Sequence, residues 1–143
     1  MNENIPQEGS IGEYYDNYKQ TQAELILVYS RKTKNAIFAI AGIWLVSELL
    51  GLAMANVFTT EILLSISLAP AILIAAGFFA LKQPLAAIVV AAVVFAGFWI
   101  LTILVVGGIG AISGLLIKAV IIYFLITGFQ NAREANRIKK EIA

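Results

Sequence analysis

The stretch Asn35–Val57, NAIFAIAGIWLVSELLGLAMANV, decides the fold of this chain. Its one charged residue is Glu48, and nearly all the others are apolar. Roughly 20 mainly apolar residues, rising about 1.5 Å each, cross the hydrocarbon core of a bilayer. Three more stretches meet that requirement, at about 61–81, 84–106 and 109–129. The expectation is an all-α integral membrane protein whose four antiparallel transmembrane helices form an up-down bundle over 35–129.

Composition agrees. Of 143 residues, 60% are apolar and 13% are charged, and the mean hydropathy is +0.87. A water-soluble domain runs nearer half apolar and a quarter charged. The absence of Cys excludes disulfides and thiolate chemistry. The absence of His removes the commonest metal ligand and general base. A net charge of +1 is no signature of a nucleic-acid binder. The sequence points to no cofactor and no metal.

The breaks between spans are short. Thr59 or Thr60 is placed to cap the second helix, with Glu61 in its first turn. Lys82-Gln83 separates spans two and three, and Pro84 falls where a helix tolerates proline best. Gly107-Gly108-Ile109-Gly110 suits a tight reversal. Arg31, Lys32 and Lys34 precede span one, Lys82 lies in the second connection, and Arg133, Arg137, Lys139 and Lys140 follow span four. The first and third connections carry no Lys or Arg. The positive-inside rule then expects a multi-pass protein of the cell (inner) membrane with both termini cytoplasmic. No cleavable signal peptide is visible, and span one would serve as an uncleaved anchor.

Residues 1–9 read as a disordered start. A cytoplasmic amphipathic helix is expected over 10–34, with Ser10 as N-cap and Glu13 completing a capping box. Ile11, Tyr15, Tyr18, Leu25 and Tyr29 recur on one helical face, together with Gln22. Two readings stand for that face: a docked helix, or a solvated extension of span one. Three acids against one base argue against attraction to anionic lipid there. The basic cytoplasmic tail, 130–143, continues span four as a helix, and Glu134, Arg137 and Glu141 are spaced to pair.

Glu48 and Lys118 lie deep in spans one and four. An unpaired charge at mid-membrane costs about 2.5–3.5 kcal/mol on an insertion scale. Position counting puts Glu48 about 20 Å and Lys118 about 17 Å from the same edge. The expectation is a buried ion pair or water-bridged pair, which either fixes helix register or gates and couples an ion. Pro70, inside span two, is expected to kink it. Ser47, Gly51 and Ala55, and Gly110 and Gly114, have the spacing of close helix packing.

No enzyme motif is found. The leading expectation is a non-catalytic accessory or scaffold subunit acting through helix and cytoplasmic contacts. Its partners would be membrane lipid, copies of itself or a larger membrane complex. A small ion- or proton-coupled transporter or channel using Glu48 and Lys118 is the second, and a membrane-permeabilising holin- or toxin-like protein the third. The layout is similar to four-span drug exporters of the small multidrug-resistance type in carrying a Glu in span one. The strong Lys/Arg bias, Lys118 and the long N-terminal arm depart from that pattern.

Overall fold

The structure, a computed structural model, describes residues 8–56, 59–106 and 114–142. Four helices account for nearly all of them: α1 Glu8–Ala55, α2 Thr60–Phe79, α3 Pro84–Val106 and α4 Leu115–Ile142. All four are long and apolar enough to cross a membrane. No strand occurs among the described residues. The start at residues 1–7 and the Gly107–Gly110 reversal lie outside them, as do the packing glycine Gly110 and the side chain of Ala55.

Local sequence explains the helix ends. Thr59 caps α2, its hydroxyl accepting from the Ile62 N–H at 3.4 Å, with Glu61 in the first turn. Pro84 opens α3, where its missing N–H costs nothing. Gly114 precedes α4 with φ +66°, a left-handed conformation that glycine adopts without strain. Pro70 is buried inside α2, and the helix continues past it to Phe79.

The helix expected over 10–34 and span one are a single helix of 48 residues, unbroken at 34–35. From Glu13 to Ala41 the chain has no Gly or Pro to interrupt it. Ser10 is no cap, because α1 has already begun at Glu8, an acid suited to a helix N-terminus. α4 likewise runs unbroken from span into tail.

The helices form a ring in which each packs on its sequence neighbours and α1 closes the circle against α4, its most extensive partner. These two are antiparallel: Thr33 of α1 meets Gly128 of α4, and further along α1 Trp44 shares a cavity with Ile117, which precedes Gly128 on α4. Ile37, Ile40, Leu73 and Ile88 are fully buried in the centre, interleaved with small residues such as Ala69, Ala87, Ala91 and Ala132. Outward faces stay apolar, as at Val46, Leu50, Val93 and Leu104, which suits contact with lipid tails.

Among the described residues, close approach is made at Gly128 and Gly77. A Cβ on Gly128 would lie 2.7 Å from Ile88 Cδ1 and 3.2 Å from Ala36 Cβ, and one on Gly77 would overlap the Phe38 ring. Gly51 is exposed, and a Cβ there or on Gly114 meets nothing within 4 Å. Neither Gly51 nor Gly114 therefore packs helices within the chain. Ser47 is half-buried, and its hydroxyl donates to the Trp44 carbonyl at 2.8 Å.

The face of α1 that packs within the chain is a different one from the stripe of Ile11, Tyr15, Tyr18, Leu25 and Tyr29. Ile11, Tyr15, Tyr18 and Leu25 are exposed, and Gln22 and Tyr29, at the edge of that stripe, are half-covered. The covered stripe is Gln22, Ile26, Ser30 and Thr33, in line with Ile37, Ile40 and Trp44 of the core. It turns towards α4, where the buried Ala132 and Ala135 let the two backbones come close. Ile142 lies fourteen positions past Gly128, and fourteen positions before Thr33 is Lys19. The first turns of α1 therefore project beyond the end of α4, and residues 11–21 are all exposed.

Candidate functional site

A cavity of about 350 Å³ opens between α1, α3 and α4, and both Glu48 and Lys118 line it. The helix register places them there. Glu48 is one turn beyond Trp44 on α1, and Lys118 follows Ile117 on α4, which faces Trp44 across the same space. Both charged residues are half-buried. Counting positions along separate helices thus leads to one shared site.

Aromatic rings build the wall. Trp44 meets Phe95 edge-on at 5.9 Å and Phe98 edge-on at 5.4 Å, while Phe95 and Trp99 lie 5.8 Å apart. Edge-to-face pairs of this kind favour a rigid cluster. The Lys118 ammonium sits 5.3 Å from the centre of the Trp99 ring, within cation–π range. Trp99 Nε1 is buried with no hydrogen-bond partner. Thr102 also lines the cavity, and its hydroxyl is turned back to the Phe98 carbonyl at 2.8 Å.

The arrangement sets a carboxylate, an ammonium and an indole N–H around one apolar-walled space. Such a space suits a proton or cation on the Glu48 side and an acceptor group near Trp99 and Lys118. Its low-polarity wall strengthens any charge interaction inside it. Among the described residues there is no cluster of three or more metal-ligating side chains. Sequence reasoning placed Glu48 and Lys118 but missed Trp99, because an aromatic on a wholly apolar helix carries no periodic signal that separates it from its neighbours.

The basic residues flanking the spans collect at one end of the ring. Lys82 and Lys139 line a second cavity with Ser30, which immediately precedes Arg31 and Lys32. Arg31, Lys32, Arg133, Arg137, Lys139 and Lys140 are exposed, and Lys34 is half-buried. Lys34 and Lys32 lie over the Phe38 and Tyr29 rings at 5.5 and 5.4 Å. Arg137 pairs along α4 with Glu134 at 3.2 Å and Glu141 at 3.6 Å, exposed contacts stabilising by only a few tenths of a kcal/mol each.

Compared with family models, with curated proteins and with solved structures, the chain finds no match in any of the three.

Proposed function

We propose that this is a non-catalytic accessory or scaffold subunit of the cell (inner) membrane, with both termini cytoplasmic, that works through contacts of its helices and its N-terminal arm. One observation carries the reading. The arm projects beyond the end of α4 with Ile11, Tyr14, Tyr15 and Tyr18 all exposed, at 63%, 77%, 58% and 49%. A helix bearing that much aromatic surface, exposed over those turns among the described residues, gains most by packing on another protein. The asymmetry of the basic residues supports the orientation.

Native mass spectrometry after mild detergent extraction tests the reading. A stoichiometric partner, or a homo-oligomer, lost on removal of residues 1–18 supports it. A monomer whose composition is indifferent to that removal contradicts it. The chain lacks Cys, so single-cysteine variants test orientation cleanly. An impermeant thiol reagent added outside intact cells should label Asn56→Cys and spare Lys82→Cys.

A second reading has its own observation. The cavity shared by Glu48 and Lys118 suits an ion- or proton-coupled transporter or channel. Flux in liposomes that is abolished by Glu48→Gln supports it. Wild-type and Glu48→Gln liposomes that both hold an imposed ion gradient as protein-free ones do speak against it.

A further inference from the structure

We propose that the cavity at the basic end of the bundle is a binding site for a phosphate-bearing anion, supplied by the headgroup of an anionic phospholipid. This cavity, about 450 Å³, lies between α1, the α2–α3 turn and the α4 tail. Its lining includes Lys82 and Lys139, with Asn136 and Gln83 alongside, and contains no carboxylate. The nearby acids Glu134 and Glu141 are held by Arg137 on α4.

Two further features point to an acceptor-rich ligand. Ser30 lines this cavity, is fully buried, and its Oγ has no hydrogen-bond partner. Leaving a buried hydroxyl unsatisfied is costly, and a ligand oxygen there removes the cost. The second feature is the start of α3. Ala87 N–H already bonds the Gln83 carbonyl at 3.1 Å. Pro84 has no N–H, so the donors left open in that first turn are the amides of Leu85 and Ala86, both in the lining. The positive end of a 23-residue helix therefore faces the same space as two lysines and a hydroxyl.

Depth selects a lipid as the source. The site sits where the apolar helices α2 and α3 meet their polar turn and where α1 passes from Ser30 into Arg31, Lys32 and Lys34. That is the level at which phospholipid phosphates lie, and basic pockets between spanning helices hold such headgroups.

Retention of phosphatidylglycerol against phosphatidylcholine, measured by native mass spectrometry of protein taken from mixed nanodiscs, tests the site. Wild type should favour phosphatidylglycerol, and the double variant Lys82→Gln/Lys139→Gln should lose that preference by roughly tenfold or more. Arg133→Gln/Lys140→Gln removes the same charge outside the cavity lining and should leave most of it. Ser30→Ala should reduce retention while leaving the lipid-free protein as stable as wild type or more so. Equal retention of both lipids by wild type, or equal losses in the two double variants, would overturn the site. Displacement of the lipid by millimolar inorganic phosphate would keep the anion site and overturn the lipid as its source.

Discussion

Thr33 and Gly128, 95 residues apart in sequence, are joined where α1 crosses α4: the buried Thr33 hydroxyl donates to the Gly128 carbonyl at 3.4 Å and to Tyr29 of its own helix at 3.0 Å. The contact exists because Gly128 has no side chain to hold the backbones apart. Thr33→Val keeps the shape and removes the donor. It should cost about 0.5–1.5 kcal/mol, towards the lower end if the surroundings are apolar lipid. Reversible unfolding in mixed micelles measures it, and an unchanged midpoint would show that the hydroxyl is fully served by Tyr29.

Glycine substitutions should separate packing from conformation. Gly128→Val must displace Ile88 and press on Ala36, and should destabilise by about 1–3 kcal/mol. Gly51→Ala meets open space within a helix, so the same unfolding experiment should find it neutral or stabilising by up to about 1 kcal/mol.

Lys118 and Trp99 should be energetically coupled. A double-mutant cycle with Lys118→Met and Trp99→Leu should give about 0.5–2 kcal/mol of interaction energy, the range for an ammonium over an aromatic face. Emission from Trp99 should also change in Lys118→Met, whereas Lys140→Met, on the exposed tail, should leave it unaltered. A coupling near zero would show that the ring packs beside the ammonium without holding it.

Truncations should divide the two ends of the α1–α4 pair. Removing residues 1–18 takes away turns that α4 does not cover, so the melting temperature in micelles should stay within a few degrees of wild type. Removing 134–143 strips the buried Ala135 and Ile138 from α1 and opens the face that holds Ser30. The melting temperature should then fall, by more than it does for the longer N-terminal deletion.

These expectations also mark what a single sequence can disclose. Helix ends were legible at Thr59, which caps α2, and at Pro84, which opens α3, but not at Ser10, inside a helix that starts at Glu8. The meeting of Glu48 and Lys118 in one cavity follows from depth, which position counting measures along any straight helix. The covered face of α1 was not legible. Tyr15, Tyr18, Leu25 and Tyr29 recur at helical spacing, but so do Gln22, Ile26, Ser30 and Thr33. Hydropathy favours the aromatic stripe, whereas the structure covers the one that the small side chains Ala132 and Ala135 can approach, a hundred residues away. For the same reason Gly128 and Gly77 escaped notice: a glycine's partner across the interface is absent from its own surrounding sequence.

The unbroken course of α1 has a mechanical consequence. Between Arg31 and Glu8 the helix extends about 35 Å past the basic collar at its 1.5 Å rise. With no Gly or Pro between Glu13 and Ala41, the outer part and the part that packs on α4 at Ser30 and Thr33 turn as one rod. A tilt of about 10° where α1 packs on α4 therefore carries the tip of the arm through about 6 Å.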